Sequence, residues 1–409
     1  ACEYLEIEWG KLLEVVLVGN PIMHHLLLGI NPIELGGAPF ALATDESVRV
    51  RARDLNLKLH INTRCYVLPC IAGHVGADTA GMILSEAPHH REAMTLLVDI
   101  GTNAEIVLGN NERLLAASSP TGPAFEGAQI SSGQRAAPGA IERVRIDRET
   151  LEPRFQVIGS ELWSNDPGFA KDTKGIGVTG ICGSGIIEVI AEMYLAGILS
   201  QDGVINGALA AKSKHIIADG RTFSYVLSNG QHMIQVTQND VRAIQLAKAA
   251  LYAGIRLLME RMEIKTVDRI RLAGAFGSHI DVKYAMVLGL IPDCDLEQVS
   301  SAGNAAGTGA RIALLNYESR QEIEEVVREV EKVETAVEAN FQQHFVQAMA
   351  FPHKVDFFPN LAKAIELPAE TDLQNNADSN QHRKIRRRRK GNGTRGTVDN
   401  PAKRESRCF

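Results

Sequence analysis

The segment Asp99-Ile100-Gly101-Thr102-Asn103 joins one apolar run, MTLLVDI, to another, AEIVLG. Its residue types are those a phosphate group asks of a turn. Glycine lets the backbone approach a ligand closely, successive N–H groups in a tight turn form an anion-binding concavity, and Thr and Asn add short polar groups. An Asp at the end of the preceding strand can hold a hydrated Mg²⁺ beside the phosphates. Asp99 is therefore a candidate catalytic and metal-binding carboxylate, with Gly101, Thr102 and Asn103 as candidate phosphate binders. A plain hairpin turn, with Asp and Asn as turn formers, is the structural alternative.

Three further segments have chemistry-bearing composition. In ASSPTGPAFEGAQISSGQRAAPGAI, Glu126 follows closely on the third strand-like run, where a carboxylate can orient a water or accept its proton; capping a helix or pairing with Arg135 would explain it structurally. Gly180-Ile181-Cys182-Gly183-Ser184-Gly185 precedes a helical segment, so the amides at Gly183 and Ser184 could receive an anion at a helix N-terminus. Cys182 has no basic residue within this motif to lower its pKa and reads as a packing residue. Leu272-Ala273-Gly274-Ala275-Phe276-Gly277-Ser278 places glycines directly after a strand, where a flat ring could lie against backbone. Gly274, Ala275 and Gly277 are thus candidate adenosine contacts, a tight strand-to-helix turn being the alternative. His24 and His25 lie in an apolar stretch and read as core or interface residues. Asp78, just inside a helical segment, could face the phosphates or simply complement the helix N-terminus.

The elements that must position these residues follow from periodicity. Glu14 to Asn20 (EVVLVGN) reads as a buried parallel strand, preceded by a few helical residues. Met94 to Ser119 reads as an antiparallel three-strand meander. Arg269 to Ala273 is a further buried strand. Helices are predicted over Ala77–Glu86, Ser184–Ala196, Asp240–Met262 with Asp240 as N-cap, Asn304–Leu315 and Glu322–Met349. Residues 87–93 read as a connector, and residues 370–409 as disordered. Strands and helices with Gly-rich turns at strand ends predict an α/β architecture with the ligand at the carboxyl ends of the strands.

Composition bounds the possibilities. The 409 residues exceed the size at which one core stops growing, which favours two lobes and a tail. Hydrophobic residues at 45% and charged ones at 22%, without a membrane-length apolar run, exclude a helical membrane protein. The chain starts at Ala1 without a secretory pattern, and a cytoplasmic location is expected for what reads as a fragment. The six cysteines, Cys2, Cys65, Cys70, Cys182, Cys294 and Cys408, lack the tight spacing of a zinc or iron–sulfur site. Residues 381–409 carry 11 Lys or Arg against Asp399 and Glu405, an excess of +9 that leaves −15 for the rest of a net −6. No aromatic residues are interleaved with the Arg386–Lys390 run, so no specific nucleic-acid partner and no membrane partner are expected.

Taken in order, VVLVGNPIMHHLLLGI, VDIGTNAEIVLG, GPAFEGAQISSGQRAAPGAIERV, GICGSGIIEVIAEMYLAGIL, LAGAFGSHID and GNAAGTGARIALL resemble the C-terminal ATPase region of the reductive activators of corrinoid proteins. The resemblance covers roughly residues 11–365. It implies the ribonuclease-H-like fold of actin, sugar kinases and chaperone ATPases, with one partial and one complete lobe. Residues 1–93 would end the first lobe, residues 94–368 would form the second, and residues 369–409 a basic tail. It further implies that Asp99–Asn103 is the second of two phosphate hairpins and Gly274–Gly277 the adenosine loop. The expected ligands are ATP and Mg²⁺. The expected activity is ATP-dependent electron donation to a Co(II) corrinoid protein or cobalamin-dependent methyltransferase, and the chain could pair as a homodimer.

The sequence also departs from that family. An iron–sulfur domain, usually N-terminal, and a first phosphate hairpin of the type Asp-x-Gly-Thr-Thr are expected upstream of Glu14 and are not found, and Ala104 stands where a glycine is expected. Weak or no ATP hydrolysis and no electron transfer are therefore expected of this polypeptide alone. Three alternatives share part of the pattern: a kinase of the same superfamily, an ATP-dependent dehydratase activator, and a non-enzymatic module that docks a corrinoid protein.

Overall fold

The computed structural model describes residues 8–230, 232–277 and 279–368. The described residues up to Leu367 form one compact unit. The expected tail, with Arg386–Lys390, lies outside the described residues.

Strand β1 (Glu14–Leu17) is followed by helix α1 (Pro21–Leu27), whose N-cap Asn20 accepts a hydrogen bond from the Met23 N–H and whose first residue is proline. A 3₁₀ turn, Trp9–Lys11, precedes β1, and the strand is three residues shorter than the EVVLVGN run suggests because Asn20 starts a helix. Strands β2 (Val48–Arg51) and β3 (Arg64–Val67) complete a sheet in the order β1-β3-β2, with β1 and β3 parallel. Helix α2 (Ala77–Glu86) leads through a 3₁₀ turn, Pro88–His90, into β4 (Thr95–Ile100), β5 (Ala104–Gly109) and β6 (Leu114–Ser119), the expected meander.

Strands β7 (Ala140–Ile146), β8 (Pro153–Val157) and, beyond the short helix α3 (Phe169–Asp172), β9 (Gly180–Ile181) form a second three-stranded sheet under helix α4 (Gly183–Leu195). Strands β10 (Ile216–Asp219), β11 (Thr222–Asn229) and β12 (Met233–Thr237) form a third. Helix α5 (Gln238–Arg261) begins two residues earlier than periodicity suggests. Its N-cap is Thr237, not Asp240: the Thr237 hydroxyl accepts from the Asp240 N–H and the Asp240 carboxylate accepts from the Thr237 N–H, a reciprocal pair that places Asp240 one turn inside.

Strand β13 (Arg269–Ala273) runs into helix α6 (Gly274–Gly277), where only a turn was expected, and then α7 (Val282–Leu288) and β14 (Val299–Gly303). Helix α8 (Ala305–Leu315) is capped by Asn304, and α9 (Tyr317–Glu329) by Asn316. The single helix expected over Glu322–Met349 is interrupted. After Glu329 the chain becomes β15 (Glu331–Lys332), paired in parallel with β6, and resumes as α10 (Phe341–Gln347) before α11 (Pro359–Ala364). The edge of β6 offers hydrogen bonds, Val333 N–H donates to Ala116 O, and β-branched Val330 and Val333 flank the pairing, so a tertiary ladder overrides helical periodicity.

The main sheet has the order β14-β13-β4-β5-β6-β15, with β4, β13 and β14 parallel. One face, through Leu97, Val107, Ala116 and Ala273, packs on α2, α8 and α9, which bury Met82, Ile83, Ala305 and Ile323 in a single apolar core. Val16 and Tyr66 of the β1-β3-β2 sheet join that core from the other side. Helices α2 and α8 cross backbone to backbone: a Cβ on Gly309 would overlap the carbonyl of Gly81, and a Cβ on Gly81 would lie 2.9 Å from Ala306 O. Helix α5 covers the opposite face of the main sheet, where Ser119 donates to the Ala250 carbonyl. No described helix is long and apolar enough to cross a membrane.

Candidate functional site

The β4–β5 turn is held from behind. The Thr121 hydroxyl donates to the Gly101 carbonyl at 2.7 Å, and the Gly122 N–H donates to the Thr102 carbonyl at 2.8 Å. With these carbonyls engaged, the side chains of Thr102 and Asn103 are the exposed groups of the turn. The Thr102 hydroxyl donates to Glu126 Oε1 at 2.7 Å. Glu126 closes a 3₁₀ turn, Pro123–Glu126, that follows β6 and packs on α5 and α4. Two candidate site residues 24 positions apart are thereby joined, and Glu126 is partnered by Thr102 rather than capping a helix.

Asp99 is the penultimate residue of β4, the strand neighbouring β13, and pairs in register with Ala273. The next residue, Gly274, has φ of +83°, and a Cβ there would collide with Asp99 Oδ1. Glycine is required on both counts. The loop after β13 and the phosphate-type hairpin thus meet at Asp99, at the carboxyl ends of parallel strands. Gly277 closes α6 one turn on, and Ala275 lies within α6, its side chain outside the described part of the structure. Gly183 and Ser184 open α4; Ser184 is buried, its hydroxyl 3.3 Å from the Cys182 thiol, which itself donates to the Ile141 carbonyl. Helix α4 packs on β7 and also contacts the 3₁₀ turn that ends at Glu126.

Two carboxylates stand with Asp99. Glu105 is its direct partner across the β4–β5 ladder, so both side chains leave the same face of the sheet. Asp78, in the first turn of α2, is close enough for its charge to act on both. Burial, then the Asp78 charge, raises the Asp99 pKa to about 6. Burial, then the charges of Asp78 and Asp99, raises Glu105 to about 9, so it is protonated at neutral pH. Burial also raises Asp78, opposed by the N–H groups of Thr79 and of Asp78 itself. Sequence reasoning weighed Asp78 and passed over Glu105. The signal for Glu105 was present: a three-residue turn after Ile100 sets residue 105 opposite residue 99.

These three groups offer only carboxylate oxygens, and the raised pKa values of Asp99 and Glu105 come from burial and from the charges beside them. Both features fit a hard divalent cation such as Mg²⁺, which takes oxygen ligands and offsets those charges. Among the described residues the cysteines form no ligand set for an iron–sulfur cluster. Cys65, Cys70, Cys182 and Cys294 are separate, buried and free, and burial pushes the thiols of Cys70 and Cys294 up to about 12 and 11, opposite to what a thiolate ligand needs.

Comparison with known proteins adds the following. Residues 93–362 match the C-terminal domain of RACo, the ASKHA domain, and residues 1–91 match the RACo middle region. A corrinoid activation enzyme of Eubacterium limosum, RamQ, is 33% identical over 366 residues, covering 87% of this chain and 58% of that protein. The [Co(II) methylated amine-specific corrinoid protein] reductase of Methanosarcina barkeri is 27% identical over 344 residues, covering 80% and 60%. Among solved structures, a reductive activator for corrinoid, iron-sulfur protein superposes with a TM-score of 0.74 at 32% identity, covering 86% of this chain and 55% of the other. The chain thus spans somewhat under two thirds of the length of these relatives.

Proposed function

The chain belongs to the RACo family, matching its ASKHA domain and middle region, and on that premise we propose that it binds Mg-ATP and uses it to drive the reductive activation of a corrinoid protein. The observation that carries this reading is the meeting of the β4–β5 hairpin with the loop after β13 at one carboxylate, Asp99.

In this reading Asp99 holds the Mg²⁺, with Asp78 and Glu105 as neighbouring oxygen donors. The bound ion screens phosphate charge. Thr102 and Asn103, exposed on the propped turn, receive phosphate oxygens, and Gly183 and Ser184 at the start of α4 are more distant candidates. Gly274, Ala275 and Gly277 offer backbone on which adenosine lies. Glu126, held by the Thr102 hydroxyl, orients and deprotonates the attacking water. Occupation of Thr102 by phosphate would break its bond to Glu126 and free that carboxylate only when nucleotide is present.

Moving one electron uphill costs roughly 2.3 kcal/mol per 100 mV. A phosphate site at the end of β4 supplies that energy only through differential affinity, binding nucleotide better in one conformation than in another and passing the bias to the docked corrinoid protein. The corrinoid partner, a cytoplasmic location and pairing as a homodimer belong to this proposal. Calorimetric titration with Mg-ATP and Mg-ADP, beside Asp99→Ala, tests it. Binding by the natural chain that is lost in the variant is expected, and heats indistinguishable between the two would refute the assignment of Asp99. A docking module without nucleotide coupling predicts corrinoid-protein binding equal with and without Mg-ATP; the proposal requires the two to differ.

A further inference from the structure

Away from the nucleotide site, His89, His90 and Glu322 bring three ligand atoms within 4.8 Å of one another. The two histidines lie on the 3₁₀ turn Pro88–His90 between α2 and β4, and Glu322 lies on α9. His89 Nε2 and His90 Nε2 stand 2.7 and 3.0 Å from the same oxygen, Glu322 Oε1. Here the turn starts from Ala87 in the left-handed region, φ 47°, and the ring centroids lie 4.2 Å apart, tilted by 56°.

We propose that His89, His90 and Glu322 form a binding site for a divalent transition-metal ion of the zinc type. Two imidazoles and one carboxylate are the protein ligand set of open zinc sites, which leave a fourth position to water or another ligand. Imidazole donors select against Mg²⁺ and Ca²⁺, which keep to oxygen. Ligand atoms around a tetrahedral zinc sit about 3.3 Å apart at bond lengths of about 2.0–2.1 Å, so the carboxylate need withdraw by only ~0.3–0.6 Å to admit the ion. Side-chain exposures of 12% for His89, 31% for Glu322 and 62% for His90 give a floor, a wall and an open mouth. His89 Nδ1 is buried without a partner, so that ring makes its polar contact through the Nε2 edge that faces Glu322. A bound ion would pin the segment preceding β4 to α9.

The test uses the full chain, stripped with a chelator and titrated with Zn²⁺ in competition with a chromophoric chelator, with Mg²⁺ present throughout. One Zn²⁺ per chain is expected, with imidazole scattering from two histidines in the X-ray absorption spectrum. His90→Ala and Glu322→Gln should each weaken uptake by roughly 100-fold or more, exceeding the 10–100-fold typical of an outer-shell partner. His90 is largely exposed, so its variant should keep the circular dichroism of the natural chain. Absence of zinc uptake, or uptake by both variants as tight as that of the natural chain and therefore located elsewhere, for example at thiols, would overturn the assignment.

Discussion

Glu105→Gln isolates what the carboxylate group costs the fold. The ordinary Glu pKa of 4.5 is raised to about 9 in the folded chain. Between these values the folded state keeps a proton that the unfolded state releases, so stability falls as pH rises across that window, and the loss is complete only above pH 9. At about 1.4 kcal/mol per pH unit, the natural chain should lose on the order of 3 kcal/mol between about pH 6 and about pH 8.5 through this one group. Gln keeps the shape of the protonated acid and has no proton to lose. The variant should therefore match the natural chain only below about pH 4.5, and its lead should widen by about 3 kcal/mol between about pH 6 and about pH 8.5. Asp99, raised to about 6, contributes its own slope below that pH in both proteins. Urea unfolding followed by circular dichroism, with EDTA present, reads the difference. Parallel stability–pH profiles for the two proteins over this range would refute the reasoning. Adding Mg²⁺ should stabilise the natural chain more at the higher pH, because the ion displaces the proton.

Other perturbations address single contacts. Gly274→Ala adds a Cβ against Asp99 Oδ1 at positive φ; it should cost about 1–3 kcal/mol of stability and weaken Mg-ATP binding roughly tenfold or more, and titration calorimetry with unchanged affinity would contradict it. A double-mutant cycle of Thr102→Val and Glu126→Gln should show a coupling of about 0.5–1 kcal/mol without nucleotide, discounted for exposure, that vanishes when Mg-ATP is bound. Coupling that persists with Mg-ATP would mean that phosphate does not compete for Thr102.

The sequence makes the hairpin legible because β4 and β5 are continuous aliphatic runs, buried on both faces, on either side of a Gly-Thr-Asn turn whose chemistry and length set the register. The same register encodes the pairing of Asp99 with Glu105, which a search confined to turn residues misses. Asp78 meets them only because α2 is pressed against the main sheet, a tertiary fact without a local signal. The bond between Thr102 and Glu126 is of the same kind. Strand β2 is four residues of alternating Val and Arg, and the β7–β8 and β11–β12 pairs carry register shifts, so their patterns are short or broken. Helix periodicity after Glu329 loses to a ladder that only the folded edge of β6 offers. In Thr237-Gln238-Asn239-Asp240 three residue types suit an N-cap, and the end of β12 selects the first.

The crossing of α2 and α8 at Gly81 and Gly309 has a mechanical consequence. Helices that touch through side chains can slide, because rotamers act as a lubricating layer. Here that layer is missing, and backbone rests on backbone. A push on the β1-β3-β2 sheet should therefore reach the strand ends around Asp99 with little slack, and the pair should act as a fulcrum about which rotation is easier than translation.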